Sequence, residues 1–145
     1  MKNLLIISFA IAMISCGKQV EMISELKKSE EAYLLLLNAN ETNAPVDSIE
    51  YVENRTILDQ VKLSEGQRGQ LVDQFLNQEN FEPLSRKCKY QPVYAVKING
   101  KIYATFDVEY CPTVRYSSSA KKEQLLGIKA ESELKKVVSE ILPEK

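Results

Sequence analysis

The segment from Cys88 to Cys111 constrains the fold of this chain more than any other stretch. It contains two apolar runs separated by Asn99-Gly100, with a cysteine at each end. Asn-Gly between apolar runs favours a type I′ hairpin turn, because both central residues of that turn need a positive φ. Counting outward from this turn places Cys88 opposite Cys111. We therefore predict an antiparallel hairpin closed by a Cys88–Cys111 disulfide.

The register of this hairpin is ambiguous in the sequence. A two-residue turn pairs Ile98 with Lys101 but places Lys97 on the apolar face, whereas a three-residue loop removes that conflict and shifts Cys88 opposite Tyr110. A shift of one residue turns every side chain to the other face of a sheet, so we expect a β-bulge. Either register leaves the cysteines neighbours. Alternation along the second strand predicts an apolar face of Ile102, Ala104, Phe106, Val108 and Tyr110, and an outward face of Lys101, Tyr103, Thr105, Asp107 and Glu109.

The first residues have the pattern of an export signal. The apolar run Leu4–Ile14 is too short to span a bilayer as a mature helix and fits the apolar core of a signal peptide. The stretch Met13-Ile14-Ser15-Cys16 resembles the lipobox of bacterial lipoproteins, although the family usually has Leu where this chain has Met13. The resemblance implies that Cys16 becomes the N-terminus and carries fatty acyl chains such as palmitate. A plain secretory signal or an uncleaved anchor is the alternative.

The lipobox divides the chain and sets its compartment. It implies a signal peptide over residues 1–15, a lipid-attached tether with a short helix over 16–29, and one globular domain over 30–145. Gly17 after the lipid cysteine is compatible with sorting to the outer membrane of a bacterial cell envelope, periplasmic or surface-facing. If Cys16 carries lipid, two of the three cysteines remain, and an oxidising compartment favours a disulfide between them. The rest of the chain resembles small envelope lipoproteins only in general, which implies no particular activity.

Apolar patterns predict the remaining strands. The run from Glu30 to Asn38 fits a buried strand or one face of a helix, and we favour a strand. Two further strands are predicted over 48–52 and 56–63, with a turn between them.

Two helices are predicted with well-defined ends. Ser64 and Gln67 have the spacing of a capping box, which opens a helix, and a stripe from Leu134 to Leu142 predicts a second helix that ends at Pro143. We also expect a turn or two of helix over 121–126. The expected fold is α+β: an antiparallel sheet of about four or five strands with two helices packed on one face.

Few residues suggest catalysis or metal binding. The chain has no histidine, which removes Ser-His and Cys-His pairs and the commonest metal ligand. Asp107 and Glu109 share a strand face and could hold a cation, but such a pair between Tyr and Thr residues is more typical of a solvated surface. We therefore expect no catalytic site, no metal and no cofactor, while the question of enzymatic activity stays open.

Charge is distributed unevenly along the chain. Residues 21–82 contain thirteen acidic and five basic side chains, whereas residues 83–122 contain two acidic and eight basic ones. One interpretation is a basic contact surface around the hairpin, interleaved with tyrosines, because tyrosine and arginine anchor interfaces. The alternative is that the two segments fold onto each other and neutralise locally. The candidate interaction surface consists of Lys89, Lys97, Lys101, Tyr103 and Arg115.

These features favour a lipid-anchored envelope lipoprotein that acts as a non-enzymatic binding module. Its expected partners are the membrane, through the lipid, and another envelope component, either protein or glycan. We expect no nucleic-acid partner. A hydrolase that uses carboxylate, Tyr and Lys side chains is one alternative. A structural subunit of an envelope complex is another, and it would present an exposed apolar patch.

Overall fold

The computed structural model describes residues 17–43, 46–47, 49–85, 87–117 and 124–143. The predicted acylation site, Cys16, lies outside these residues. Among the described residues there is one eight-stranded antiparallel sheet with three α-helices. None of these helices has the length and apolar character needed to cross a membrane.

The strands follow one another across the sheet in the order β2-β3-β1-β5-β6-β7-β8-β4, and every neighbouring pair is antiparallel. The prediction of four or five strands with two helices is therefore wrong. The elements in chain order are α1 (Gly17–Lys28), β1 (Ala32–Leu37), β2 (Tyr51–Val52), β3 (Arg55–Lys62), α2 (Glu65–Leu76), a 3-10 turn (Gln78–Asn80), β4 (Phe81–Pro83), β5 (Tyr94–Ile98), β6 (Lys101–Asp107), β7 (Thr113–Tyr116), β8 (Gln124–Ile128) and α3 (Leu134–Ile141).

The additional strands are short, and their sequences carry little strand periodicity. The prediction of helix over 121–126 is wrong for its described residues, 124–126, which lie in β8. A pair of adjacent leucines fits a helix or a strand equally well. Pairing decides the outcome, because β8 bonds to β7 on one side and to β4 on the other.

The β5–β6 hairpin confirms the predicted turn and the predicted bulge. Asn99 and Gly100 have φ values of 49° and 78°, and Ile98 pairs with Lys101 as a two-residue loop requires. The register then shifts, so that Lys97 pairs with Ile102 and Val96 with Ala104. Tyr103 is the extra residue, and Ile102 consequently turns to the face opposite Ala104.

The predicted disulfide is confirmed. Cys88 and Cys111 are bonded, with their Cα atoms 5.8 Å apart, which lies within the range that a disulfide requires. Cys111 is buried and Cys88 is exposed. The bridge therefore ties the segment of residues 87–93 to the loop that follows β6.

The three helices cover one face of the sheet. Phe75 of α2 lies at the centre of this core, with its ring 5.8 Å from that of Phe106, 6.1 Å from that of Phe81 and 6.3 Å from that of Tyr116. Helix α2 begins with the predicted capping box between Ser64 and Gln67. Helices α1 and α3 add the buried side chains Met22, Ile23, Leu26, Leu134, Val137, Val138 and Ile141.

The opposite face is covered in part by the β2–β3 hairpin (residues 51–56). Val52 packs there with Leu35, Leu37 and Ala95. The guanidinium of Arg55, which is only 1% exposed, donates to the carbonyl oxygens of residues 38 and 39 and to the carboxylate of residue 41. These bonds hold the loop after β1 against the hairpin, so both faces of β1 are buried.

We predict that the disulfide contributes about 3 kcal/mol to the free energy of unfolding, because it closes a loop of this length in the unfolded chain. The double variant Cys88→Ala, Cys111→Ala should lose about that amount in a urea titration followed by circular dichroism. The reduced wild-type protein is the control and should show a similar loss. Equal midpoints for oxidised wild type and the double variant would contradict this role.

Candidate functional site

The structure does not gather the five residues of the candidate interaction surface on one face. Lys97 and Arg115 lie on the face that the β2–β3 hairpin covers, since their strand partners Tyr33 and Thr105 lie there. Lys101 and Tyr103 lie on the helix side of the sheet. Lys89 is exposed in the segment tied by the disulfide. Their role in binding a partner stays a prediction.

Tyr103 is half-buried against helix α1 instead of pointing outward. The cause is the bulge, which shifts Tyr103 out of the alternation that the sequence predicts. The Lys101 ammonium lies 4.8 Å from the Tyr103 ring centroid and 3.7 Å from a carboxylate oxygen of Glu21 in α1. Partial burial, together with Glu25 and Glu21, raises the pKa of the Tyr103 phenol.

A cluster of polar side chains lies between the β2–β3 hairpin and the sheet. The Glu53 carboxylate accepts from the Thr105 hydroxyl at 3.1 Å and pairs with the Arg115 guanidinium at 3.1 Å. The Tyr90 hydroxyl lies 2.7 Å from the Thr105 hydroxyl oxygen. Because Thr105 has one proton and a carboxylate only accepts, Thr105 donates to Glu53 and Tyr90 donates to Thr105. We call Tyr90, Thr105, Arg115 and Glu53 the polar cluster.

The polar cluster joins three separate segments of the chain. Glu53 has φ of 51°, a conformation that is uncommon for a residue with a side chain, and it sits at the tip of the hairpin. The Arg115 guanidinium carbon lies 4.6 Å from the Tyr90 ring centroid, a cation–π arrangement. The cluster therefore fixes both the hairpin tip and the disulfide-tied segment on strands β6 and β7.

The chemistry of the polar cluster favours a structural role. Burial raises the pKa of the Tyr90 phenol far above its ordinary value, and the hydrogen bond to Thr105 offsets only part of that effect. Tyr90 therefore stays a neutral donor and does not supply a phenolate. One carboxylate oxygen of Glu53 contacts both Thr105 and Arg115, so protein groups orient the side chain of this exposed residue.

The two carboxylates considered as a cation site are used otherwise. Asp107 is fully buried and accepts from the backbone amides of Glu109, Tyr110 and Cys111 at 2.8, 3.2 and 2.8 Å. Glu109 pairs with Lys135 of α3. Asp107 therefore stabilises the loop that ends at the disulfide. Within the described residues, no group of three or more acidic or cysteine side chains has the arrangement of a metal site.

The outer edge of β3 is a surface that the sequence pattern does not reveal. Strand β2 pairs with β3 only through Arg55 and Thr56, so within the described residues no strand pairs with the outer side of β3 from residue 57 to residue 62. A bulge between β1 and β3 skips Leu58, which is 59% exposed. No sequence signal marks this bulge, because Leu58 lies between two residues that fit an ordinary strand.

Exposed apolar side chains collect at this edge. Ile49 and Leu58 line the same cavity, of about 370 Å³, together with Glu50 and Asp59. Ile49 is 45% exposed, and Val46, one turn earlier, is 54% exposed. We call Val46, Ile49 and Leu58 with the outer backbone of β3 the edge surface.

Comparison of the chain with protein-family models, with curated proteins and with solved structures gives no match. The chemistry of the residues is therefore what bears on function.

We predict that Glu53→Gln lowers the free energy of unfolding by about 1–2 kcal/mol. The substitution removes the charge that pairs with Arg115, and a hydrogen bond to a charged group contributes about 1.5–3 kcal/mol. Partial exposure of the pair reduces this contribution. Chemical denaturation of the folded domain measures this change. Glu140→Gln, on an exposed position of α3, is the matched control and should leave stability nearly unchanged. Equal stability of Glu53→Gln and wild type would show that the polar cluster does not hold the hairpin.

Proposed function

We propose that this chain is a lipid-anchored envelope lipoprotein whose domain binds an extended segment of a protein partner along the edge surface. The observation that carries the proposal is that no described strand pairs with the outer side of β3 beyond Thr56, and that Leu58 and Ile49 are exposed there. The lipobox-like sequence ending at Cys16 supports the anchoring part. A non-enzymatic binding role is consistent with the polar cluster, because its side chains form hydrogen bonds with one another.

A strand edge that has no neighbouring strand is a template for another strand, because backbone N–H and C=O groups along it can form a further ladder. Peptide recognition by strand addition uses such edges, with backbone bonds for affinity and side-chain pockets for specificity. The other edge of the sheet, β4, has three residues and ends in Pro83, which cannot donate to a ladder. Strand β3 therefore offers the better docking edge.

The side chains around the edge surface indicate the chemistry of the partner. Val46, Ile49 and Leu58 offer apolar contacts. The acidic residues Asp47, Glu50 and Asp59 lie beside them in the sequence, and Lys97 pairs with Glu50. The exposed apolar side chains favour a partner segment with apolar side chains, which strand addition places in side-chain pockets.

The two alternative functions, a hydrolase and a structural subunit of an envelope complex, would use different features of the structure. A hydrolase would need reactive polar groups that face a substrate, and Glu53, Thr105 and Tyr90 are bonded to one another instead. A structural subunit of an envelope complex would use the same apolar side chains at the edge surface. A structural subunit would differ from the binding module in its partner, because it would form a constitutive complex of fixed stoichiometry with that partner.

The test is photo-crosslinking from the edge surface in cells that make the lipidated protein. A crosslinking amino acid at Leu58 should give discrete protein adducts, and the same amino acid at Leu84, which is 42% exposed, should give none. Adding Ile49→Asp should weaken the Leu58 adduct about tenfold, because burying an Ile is worth about 1.5–3 kcal/mol and about 1.4 kcal/mol is tenfold in affinity.

Adducts of equal yield from Leu58 and Leu84, or no adduct from Leu58, would contradict the proposal. A Leu58 adduct that Ile49→Asp leaves unchanged would also contradict it, since the apolar contact would then contribute nothing.

A further inference from the structure

Helix α1 leaves no spacer between the proposed lipid and the folded domain. It begins at Gly17, the residue after Cys16, and consecutive Cα atoms are about 3.8 Å apart. Gln19, two residues further on, is 2% exposed, and its side-chain amide donates to the backbone carbonyl of Phe75 in α2. Met22 and Leu26 are fully buried. The first turn of α1 is therefore fixed to the end of α2.

Two exposed apolar side chains lie at this end of the helix pair. Val20 is 52% exposed and Leu76 is 47% exposed. They follow Gln19 and Phe75 directly, and the bond between Gln19 and Phe75 joins the start of α1 to the last turn of α2.

Helical spacing places both side chains on the groove between α1 and α2. That groove is lined by Lys27 of α1 and by Val72 of α2, among others. Val20 precedes Lys27 by two turns, and Leu76 follows Val72 by about one turn, so each lies on the same side of its helix as the groove residue. Val20 and Leu76 therefore lie at one end of this mostly charged groove, at the end of α1 from which the chain continues to Cys16.

We infer that this end of the helix pair, with Val20 and Leu76, lies directly against the lipid surface. The inference rests on the proposed acylation of Cys16. Acyl chains on Cys16 would hold the bilayer within one residue of α1, so the nearest exposed apolar side chains meet lipid before they meet any other partner. An apolar contact of this kind adds to the binding that a lipid chain provides.

Polar side chains of both charges surround Val20 and Leu76, as at the edge of a lipid headgroup layer. Lys18 pairs with Glu21 at 3.3 Å, and α2 is followed by Asn77, Gln78 and Glu79. The edge surface lies elsewhere: β3 is separated from β6 by β1 and β5, whereas Phe75 packs on β4, β6 and β7. The proposed orientation therefore leaves the edge surface free for a partner.

The chain has no tryptophan, so the fluorescence of a single introduced tryptophan reports only on the position where it was introduced. We would purify the lipidated full-length protein as Leu76→Trp and as the control Leu58→Trp. Each is placed in phosphatidylethanolamine–phosphatidylglycerol vesicles with and without lipids brominated near the headgroup end of the acyl chains. Leu76→Trp emission should fall about twofold with brominated lipid, because an interfacial side chain lies about 5–10 Å into the headgroup and acyl boundary. Leu58→Trp emission should not change.

Mass spectrometry of the same samples separates the inference from the proposal on which it rests. Leu76→Trp that is acylated at Cys16 but is not quenched would overturn the inference and leave lipid anchoring intact. Protein without acyl chains on Cys16 would overturn both. Equal quenching of Leu58→Trp would also overturn the proposed orientation. Val20→Trp gives the same readout if Leu76→Trp does not fold, as judged by circular dichroism.

Discussion

The burial of β1 and β5 on both faces is the constraint on which the rest of this structure depends. Leu34 to Leu37 are all buried, as are Tyr94 to Val96. A strand with no solvent side needs a cover above and below the sheet, since each exposed apolar side chain would lose roughly 1.5–3 kcal/mol of burial. The three helices supply one cover, and the β2–β3 hairpin supplies part of the other. Helix α1 is therefore a component of the core as well as the segment next to the proposed lipid.

Ion pairs connect the acidic first part of the chain to the basic second part. Glu53 pairs with Arg115, Glu50 with Lys97, and Glu21 with Lys101. The uneven charge of the sequence is thus neutralised in part within the fold, as one of the two interpretations requires. The Glu50–Lys97 and Glu21–Lys101 pairs have exposed carboxylates and contribute little to stability, about 0–1 kcal/mol each, so their larger effect is to set where the hairpin and α1 lie on the sheet.

Features with a strong local cause could be predicted from the sequence, and features that depend on pairing could not. The Asn99-Gly100 turn and the capping box of α2 follow from local preferences of a few residues, and a bulge follows from the conflict between that turn and the alternation of the strands. Strands β4, β7 and β8 are too short for a periodic pattern, and only their neighbours in the sheet define them. The position of Tyr103 depends on where the bulge falls, which alternation alone does not specify. Leu58 has no signal at all, because its exposure results from a second bulge. The edge surface, the part of the site that we propose to bind, was therefore beyond sequence reasoning.

Native-state hydrogen exchange tests most directly whether α1 and the sheet form one cooperative unit. We expect the amides of Met22, Ile23 and Leu26 to open with the same free energy as those of Leu35 and Val96, because α1 closes the core over β1 and β5. That free energy should equal the global stability measured by denaturation. Exchange of the α1 amides near the unprotected rate, while the Leu35 and Val96 amides stay protected, would show that α1 and the sheet are not one cooperative unit. Helix α1 would then be a tether, and the lipid would not fix the orientation of the domain.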